Sequence, residues 1–485
     1  MDVLILSENT TNGSYPNSNY RNIGATELAR RLDNRSINNT IIDWFSYWDK
    51  ELLFNCCINW LKDSKHPVIA VSTPLSVDII YDILPTLTQL KKEIKDLTII
   101  QGGNRTFDDN INKVVDYVFI GRSMQIFEDW VDGKSLDKYN TDTPNTYINN
   151  NINFSADLPV IGYHREDDFL TSGDVTGFEL GVGCKFNCSF CNYDLRNVKN
   201  PLLLESNHIA EFMQNTYDKY GVDSFYLADD TVNESDEKLQ ALTEAVSLLS
   251  FQPNLVGFFR LDLMGAREKQ IEYYQQLNLA GITFGIESFN PEASVHVRKT
   301  RKVEKNIETL KLLKKLNPET ALTAGMIVGL SGDTENHIMN SLDYVIDSKI
   351  LDGLFYSPLA IHDATSEIYD SNFLSEICKN PEKFGYNIIG KKPIRHGVDE
   401  LIWENEWTNL NDAFSLCLKI NKYHQEKGLS HLSAFSYLIF KSQGIFDNLQ
   451  SYNDNWQNAL KWSSVISTRH RKKYISKKSE YLLSS

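Results

Sequence analysis

The 485-residue sequence lacks any run of 18 or more apolar residues, and its N-terminus, MDVLILSENTTNGSYP, has no basic region before its short apolar stretch. A membrane-spanning helix needs a run of that length, and a secretory signal needs such a basic region. We therefore expect a cytoplasmic protein with no membrane partner.

Basic residues are also in deficit. Lys and Arg number 49 against 64 Asp and Glu, which gives a formal net charge of −15. Because nucleic-acid backbones are bound mainly through clustered Lys and Arg, this balance disfavours a nucleic-acid partner. The strongly basic run RHRKKYISKK, at 469–478, is interpreted as a solvated tail, with a nucleic-acid contact as the alternative.

Cysteine is scarce as well, and three of the seven residues fall within eight positions. Cys184, Cys188 and Cys191 form a C-x3-C-x2-C pattern, which favours metal binding over a disulfide framework. Structural zinc needs four ligands, and neither His164 nor His208 lies at a usual ligand spacing. Three thiolates on a tight loop instead fit a [4Fe–4S] cluster in which one iron lacks a cysteine ligand.

The first 133 residues predict an open, doubly wound α/β sheet, because short β-rich runs alternate there with helical patterns. The strand-like runs are VLILS (3–7), TIIDWF (40–45), VIAVST (68–73), LTIIQGG (97–103) and YVFIG (117–121). Gly102 and Gly103 end the fourth run, at the carboxyl edge where open α/β sheets bind ligands. Residues 134–172 are rich in Asn, Thr and Asp and are interpreted as a linker.

Residues 173–370 predict a partial parallel (β/α)6 barrel, whose chemistry would lie at the carboxyl ends of its strands. The six strand-like runs are VTGFELGV (175–182), SFYLAD (224–229), VGFFRLD (256–262), GITFGIE (281–287), AGMIVGL (324–330) and GLFYSPLAI (353–361). At 41% hydrophobic residues, a chain of this length has enough apolar surface for several such cores.

Residues 371–485 predict a helical C-terminal region. Its clearest helical stretch is 403–425, and the residues that would share one helical face are Trp403, Trp407, Leu410, Phe414 and Leu418. We expect this face to pack on the barrel as a cap.

The cysteine spacing, together with the aromatic Phe190 before the third cysteine, resembles the signature of the radical S-adenosylmethionine (SAM) superfamily. The resemblance implies that the open iron binds the amino and carboxylate groups of SAM. It also implies that one electron, from a donor such as flavodoxin or ferredoxin, cleaves a carbon–sulfur bond to give a 5′-deoxyadenosyl radical. Such a radical requires a closed, dry site next to the substrate.

The same resemblance implies roles for acidic and basic residues after the cysteines. Asp229 and Asp230, in LADD, stand where many members carry a Gly-Gly-Glu that holds the SAM amino group. Arg260 would pair with the SAM carboxylate, the alternative being a surface salt bridge. Glu287, in GIES, would reach the ribose hydroxyls or another polar group of SAM.

The segment AGMIVGLSGDTEN, at 324–336, resembles the fifth strand of the family. Gly329 and Gly332 would allow the backbone to approach the adenine ring closely. Ser331 departs from the family pattern, in which a proline is common at this position.

The N-terminal segments YRNIGATELARRL, TIIDWF, IIQGGN and VDYVFIGR resemble the Rossmann-like cobalamin-binding domain that precedes many radical SAM barrels. Gly102, Gly103 and Asn104 would then contact the corrin or its nucleotide tail. The usual D-x-H-x-x-G motif is absent, since His66 is the sole histidine before residue 150. Two alternatives remain open: cobalamin binding, or the same fold without the cofactor.

These features predict an enzyme that modifies an unactivated carbon of a small molecule or peptide, by methyl transfer if cobalamin is bound. A peptide epimerase-like or rearrangement enzyme is one alternative, with Cys378 as the hydrogen donor. A noncatalytic iron–sulfur sensor is another. Tyr356 and His362, which follow the sixth strand-like run, are further candidates for the substrate end of the barrel.

Overall fold

The structure, a computed structural model, describes residues 1–8, 20–73, 78–103, 109–141, 144–148, 159–193, 197, 202–363, 374–395 and 398–484. Asn104, a candidate contact for cobalamin, lies outside these residues. The chain divides into two compact units. The first contains residues 1–178, 215–222 and 462–485, and the second contains residues 179–214 and 223–461.

Strands and helices alternate along the N-terminal part of the chain. Up to residue 178 they are β1 (Asp2–Ser7), α1 (Ile23–Asp33), β2 (Asn38–Asp43), α2 (Lys50–Leu61), β3 (Pro67–Thr73), α3 (Asp78–Glu93), β4 (Thr98–Gly103), α4 (Asp109–Asn112), β5 (Tyr117–Ile120), α5 (Met124–Val131), β6 (Thr146–Ile148) and β7 (Thr176–Phe178). The five strands predicted from the sequence are present, with boundaries within about two residues of the structure.

The first sheet has the strand order β2-β1-β3-β4-β5-β6, and its paired strands are parallel. The central strands β1, β3 and β4 carry buried apolar residues on both faces, because helices cover both faces of the sheet. Along β1, Leu4 and Leu6 belong to one core cluster, while Val3 and Ile5 belong to the other. The sixth strand, β6, lies inside the segment interpreted as a linker and pairs with β5. Because β6 has three residues, its hydrophobic pattern is too short to be recognised as a strand from the sequence.

The remaining elements follow the predicted β–α alternation. They are α6 (Ser206–Tyr220), β8 (Ser224–Leu227), α7 (Asp236–Ser247), β9 (Asn254–Phe259), α8 (Leu261–Ala266), α9 (Glu268–Leu277), β10 (Gly281–Glu287), α10 (Pro291–His296), α11 (Val303–Leu316), β11 (Ala321–Val328), α12 (Glu335–Ser348), β12 (Gly353–Pro358), α13 (Glu376–Lys379), β13 (Asn387–Arg395), β14 (Val398–Glu404), α14 (Leu410–Lys427), α15 (Ala434–Ser442) and α16 (Leu449–Ser484).

The second sheet has the strand order β12-β11-β10-β9-β8-β7. The pairs from β8 to β12 are parallel, as a partial (β/α)6 barrel requires. The prediction of a Rossmann-like domain followed by a partial barrel and a helical C-terminal region is confirmed. No helix within the described ranges combines the length and apolar character needed to cross a membrane.

The predicted helical face at 403–418 is wrong in two respects. Trp403 lies on β14, which forms an antiparallel hairpin with β13, and α14 begins only after Asn409, whose side chain accepts hydrogen bonds from the first-turn amides. Phe414 and Leu418 are 56% and 58% exposed. The helix instead buries the adjacent face, formed by Leu410, Ala413, Leu416, Cys417, Ile420 and His424.

The basic run at 469–478 is not a solvated tail but part of α16. From residue 462 onwards, where this helix belongs to the first unit, every third or fourth side chain is buried, including Arg471, Tyr474 and Lys478. The lysine Nζ atom lies 2.6 Å from Thr40 Oγ1 and 3.1 Å from Asp167 Oδ2. A basic composition therefore concealed a helix that packs against the sheet, because long Lys and Arg side chains can be buried when paired.

Candidate active site

Three cysteine side chains line one cavity of about 300 Å³ in the second unit. All seven cysteines lie in the described part of the chain, and none forms a disulfide. Cys184 is buried, whereas Cys188 and Cys191 are half-buried. The loop that carries them is short and irregular, and it is held by a hydrogen bond of 3.1 Å from Cys191 N to Cys188 O. The sequence-predicted cysteine set is thus brought together in space.

Each cysteine sulfur has a polar neighbour. The Arg260 Nη1 atom donates to Cys188 Sγ at 3.5 Å, and the Tyr193 amide donates to Cys191 Sγ at 3.4 Å. The Thr231 hydroxyl lies 3.5 Å from Cys184 Sγ. Hydrogen bonds to the sulfurs are a main means by which proteins tune an iron–sulfur cluster, so this donor set is suited to thiolate ligands.

The arrangement fits a cluster better than a single ion. Within the ranges that the structure describes, no group of three or more His, Cys, Asp or Glu side chains is placed to hold one metal ion. A structural zinc ion draws all its ligands to one point, whereas the thiolates of a [4Fe–4S] cluster are spread over different irons. The three thiols around one cavity are therefore suited to a cluster with one iron left for another ligand.

Among the described residues, four acidic or basic side chains line the same cavity: Asp230, Arg260, Glu287 and Lys299. Burial raises the pKa of Asp230 to about 6 and raises the pKa of Glu287, although Lys299 opposes the latter shift. Glu287 ends β10 with a φ of 71°, at a shift in the strand register. Because a left-handed backbone is costly for a residue other than glycine, this strain at the cavity wall is typical of a functional position.

Arg260 does not form a surface salt bridge, which was the alternative to a contact with SAM. Its guanidinium is buried, pairs with Asp262 through Nε and Nη2 at 3.0 and 2.7 Å, and lies 4.1 Å from the centre of the Phe186 ring. Phe190, the aromatic residue before the third cysteine, also lines the cavity. The two residues thus lie where the sequence analysis expected cofactor contacts.

Asp229 is placed differently from its neighbour. Its carboxylate accepts hydrogen bonds from the amides of Leu180 and Gly181 at 2.7 and 3.0 Å, and it forms a 2.6 Å ion pair with the fully buried Lys238. It is absent from the cavity lining. Its contacts stabilise the start of the cysteine loop, so Asp230 is the acidic residue of LADD that faces the cavity.

Gly329 and Gly332 do not line the cavity either. Gly329 has a φ of 99°, and a β-carbon there would lie 2.2 Å from the Trp403 ring. The close approach that this glycine permits is therefore to the β13–β14 hairpin rather than to adenine. A β-carbon at Gly332 would instead face the backbone of Glu292 and Ala293.

Cys378 is buried beside the cysteine loop but outside the cavity lining. Its thiol donates to Asn192 Oδ1 at 3.5 Å and accepts from the His362 amide at 3.3 Å. Asn192, which follows the third cysteine, also accepts from the Ser375 amide at 2.7 Å. This geometry makes Cys378 a support of the loop. Neither His362 nor Tyr356, the other candidates, lines the cavity.

Sequence reasoning missed Lys299, Phe258 and Phe355, which all line the cavity. Lys299 Nζ donates to Gly285 O at 2.9 Å and lies 3.4 Å from Glu287 Oε1. Because Lys299 follows helix α10 and not a strand, a search for residues at the ends of strands does not find it. The two phenylalanines could have been found from the alternation of side chains along β9 and β12.

The first unit places Gly102 and Gly103 at the carboxyl end of β4, as predicted. Among the described residues, a β-carbon at Gly102 would have one near neighbour, Ser123 Oγ at 3.7 Å, and Gly103 has a φ of 124°. The strand order reverses between β1 and β3, which is the switch point where doubly wound sheets bind ligands. The residues at this edge are compatible with a ligand that approaches the backbone closely.

Comparison with known proteins agrees with this architecture. Residues 178–345 match the family model of the radical SAM superfamily. No curated protein sequence matches the chain. Among solved structures, the radical S-adenosylmethionine methyltransferase TsrM from Kitasatospora setae, with tryptophan substrate and a SAM analog bound, has a TM-score of 0.62 at 10% sequence identity. That match covers 95% of this chain and 99% of that chain.

A second structure, the cobalamin-dependent S-adenosylmethionine radical enzyme OxsB with aqua-cobalamin bound, has a TM-score of 0.62 at 14% identity. The match covers 96% of this chain and 72% of the OxsB chain. At these identities the likeness establishes the fold. The family match identifies residues 178–345 as a radical SAM domain, which implies an enzyme that uses a [4Fe–4S] cluster and SAM. The N-terminal domain shares the Rossmann-like fold of the two solved structures.

Proposed function

We propose that this protein uses SAM at a [4Fe–4S] cluster to modify an unactivated carbon of its substrate, by methyl transfer with cobalamin held in the N-terminal domain. The observation that carries the proposal is that three cysteine thiols and the acidic and basic side chains of Asp230, Arg260, Glu287 and Lys299 line a single cavity. When bound, the reduced cluster supplies the electron that cleaves a carbon–sulfur bond of SAM.

In this proposal Cys184, Cys188 and Cys191 hold the cluster. Arg260 and Lys299 are the cations in the cavity wall that can pair with a carboxylate, and a guanidinium does so through two parallel hydrogen bonds. Asp230 and Glu287 are the carboxylates that can accept from an amino group or from ribose hydroxyls. Side chains of both charges in one cavity suit a zwitterionic ligand such as the methionine portion of SAM.

The apolar wall of the cavity would favour the exclusion of water once SAM and the substrate are bound. The cavity wall is largely apolar, since six of its lining residues are phenylalanines: Phe186, Phe190, Phe258, Phe259, Phe284 and Phe355. In a water-poor site the charged side chains act through a lower effective dielectric constant, which strengthens their interaction with a bound ligand.

Cobalamin is proposed for the N-terminal domain, with Gly102 and Gly103 in contact with it. Support comes from the shared fold, from the two glycines at the carboxyl edge and from the cobalamin bound in the OxsB structure. The substrate is proposed to be a small molecule or peptide, and an electron donor such as flavodoxin or ferredoxin is required. Cytoplasmic location is part of the same proposal.

The test is to purify the protein anaerobically from cobalamin-fed cells and to measure iron and cobalt per chain. We expect about four irons and cobalt in a comparable molar amount to protein. With SAM, a reductant and host extract, we expect 5′-deoxyadenosine or S-adenosylhomocysteine to form. Iron without cobalt would contradict the cobalamin proposal, and would direct attention to reactions without cobalamin.

Two cysteine variants test the site itself. Cys188→Ala should lose most of the iron and all SAM cleavage, because it removes one ligand of the cluster. Cys417→Ala is the matched control, since Cys417 is buried on α14 and does not line the cavity. Equal iron contents in the two variants would contradict the assignment of the cysteine loop.

A further inference from the structure

Phe258 is unusual because a large apolar ring in the middle of the second sheet is left 42% exposed. The ring lines the active-site cavity. One of its neighbours is Phe435, whose ring centre lies 4.7 Å away at an interplanar angle of 34°. An aromatic surface open to a cavity is unfavourable in water, and a bound apolar group would relieve that cost.

The strand register shows which side chains share the cavity with this ring. Phe258 pairs with Thr283 on β10, and Thr283 pairs with Thr323 on β11. Residues two positions further along the strands face the same side. Here they are Gly285 and Gly325, which pair with each other.

The two glycines allow neighbouring side chains to lie directly against the sheet in the cavity wall. A β-carbon on Gly325 would lie 3.0 Å from atoms of the Phe355 ring, so this ring occupies the space that a side chain would take. A β-carbon on Gly285 would meet Glu287 Oε1 at 2.7 Å. The Phe355 ring therefore lies against Gly325, whereas the charged Glu287 and Lys299 side chains lie against Gly285. With Phe258 and Phe355 in its wall, the cavity has an aromatic part that suits a flat group.

The polar groups beside Phe258 are already hydrogen-bonded. Thr323 Oγ1 donates to Ile282 O at 3.2 Å, which leaves the Thr283 hydroxyl to donate to Thr323 Oγ1 at 3.0 Å. Ala434 N, at the start of α15, donates to both hydroxyl oxygens, at 3.3 and 2.9 Å. A ring with polar edges, such as adenine, would find poor partners here, whereas a hydrocarbon ring would lose nothing.

We infer that Phe258 and Phe355 form the substrate subsite, and that the substrate carries a flat, apolar aromatic ring which stacks on Phe258. The inference rests on the proposed function, because it assigns the charged end of the cavity to SAM. It adds the substrate class, an aromatic compound. It also makes Phe258 a specificity-determining residue that takes no part in holding the cluster.

The experiment measures binding to the anaerobically purified full-length holoenzyme. The probes are benzyl alcohol and cyclohexylmethanol, which match in size but differ in planarity, and binding is followed by ligand-observed NMR in the presence of saturating SAM. Aromatic stacking predicts that benzyl alcohol binds about two- to tenfold more tightly than its saturated counterpart. Phe258→Leu should abolish this preference, since leucine keeps the apolar character but loses the flat face.

Two controls make the result specific. Phe414→Leu changes an exposed phenylalanine of α14 that lies outside the cavity and should retain the preference. Iron content and SAM affinity of Phe258→Leu should equal those of the unchanged protein, which shows that the variant folds. A failure of the proposed function would appear separately, as missing iron or missing SAM cleavage.

Three results would overturn the inference. Equal affinity of the unchanged protein for the two probes would remove the preference for a flat ring. Loss of SAM affinity in Phe258→Leu, with competition between SAM and benzyl alcohol, would assign the ring to the adenine of SAM. Retention of the preference in Phe258→Leu would place the aromatic subsite elsewhere.

Discussion

At the scale of single residues, the neighbours of the cysteine sulfurs decide how a cluster would behave. Arg260 brings a positive charge and a hydrogen-bond donor to Cys188, and its orientation is set by Asp262 and Phe186. The reduced cluster carries more negative charge than the oxidised cluster. Removing a positively charged donor therefore destabilises the reduced cluster relative to the oxidised one. A residue named in the sequence analysis as a SAM contact therefore also affects the electronic properties of the site.

We predict that Arg260→Met lowers the reduction potential of the cluster by an amount on the order of tens of millivolts. The measurement is a redox titration followed by electron paramagnetic resonance without SAM. Arg267→Met is the control, because Arg267 is more exposed and its ion pair is with Asp236. Equal potentials in the two variants would show that the contact with the sulfur has no electronic effect.

Cys378 provides a second prediction at this scale. Because its thiol contacts Asn192 and lies outside the cavity lining, Cys378→Ala should keep product formation within about twofold and cost about 1 kcal/mol in the free energy of unfolding. The assay compares 5′-deoxyadenosine and product formation with those of the unchanged protein. A variant that cleaves SAM but forms no product would instead support a hydrogen-donor role.

At the scale of elements, α14 shows how hydrophobic spacing can indicate the wrong face. Two faces of this helix carry apolar residues, and the sequence analysis chose the one with Phe414 and Leu418, which is exposed. The buried face combines Leu410, Leu416 and Ile420 with two small residues and His424, a residue that hydropathy alone would place at the surface. Packing against β12 decided between the faces, and a single sequence does not report that packing.

His424 is fully buried, and neither of its ring nitrogens has a hydrogen-bond partner among the described residues. Its ring meets Tyr356 of β12 edge-on at 6.1 Å, and His431 adds repulsion from a neighbouring segment. Burial lowers the pKa of His424 to about 4, below the value of about 6.5 for an exposed histidine. The folded state therefore favours the neutral imidazole.

This shift predicts how stability depends on pH. Because the folded pKa is lowered, the stabilisation is complete above about pH 6.5 and is lost as the pH falls from there toward 4, by about 2 kcal/mol at pH 5. Denaturant titrations at pH 7.5 and pH 5 measure the difference in the free energy of unfolding between the two pH values. We expect this difference to be about 2 kcal/mol smaller for His424→Leu than for the unchanged protein. His208→Leu, at an exposed position on α6, should retain it. Parallel losses in both variants would contradict the assignment.

At the scale of the whole molecule, the C-terminal helix α16 contributes to the unit that begins at residue 1. The Tyr474 hydroxyl accepts a hydrogen bond from the Asp43 amide at 2.9 Å, and His470 Nε2 lies 3.1 Å from Asp174 Oδ1. Arg21 is buried between these two aspartates, at 2.6 and 2.8 Å. Deleting the basic segment would thus remove part of a folded unit rather than an independent tail.

We predict that Lys478→Ala lowers the free energy of unfolding by about 1–3 kcal/mol, because it removes the fully buried partner of Asp167, whose carboxylate keeps an ion pair with Arg165 Nε at 3.3 Å. Lys477→Ala, the exposed neighbour, should change it by less than about 0.5 kcal/mol. Thermal unfolding followed by circular dichroism compares the two. Similar unfolding curves would show that the helix is not held by this ion pair.

Much of the molecule was determined by the sequence alone. The apolar runs predicted eleven of the strands because each spans a short buried segment of parallel sheet, and the C-x3-C-x2-C spacing located the site because cluster ligands lie close together in the chain. Asp230, Arg260 and Glu287 were predicted to face it because they end strands at the carboxyl edge, where side chains converge.

Other features depend on the tertiary structure. Asp229 and Asp230 are adjacent in sequence. The Asp229 carboxylate binds Lys238 and two backbone amides, whereas Asp230 lines the cavity. The Trp403 ring occupies the space that a side chain at position 329 would need. Trp403 lies 74 residues further along the chain, on the β13–β14 hairpin. The burial of α16, the exposed ring of Phe258 and the position of Lys299 likewise arise from contacts between distant segments. Local patterns carry no information about such contacts, because they form only when the chain is packed.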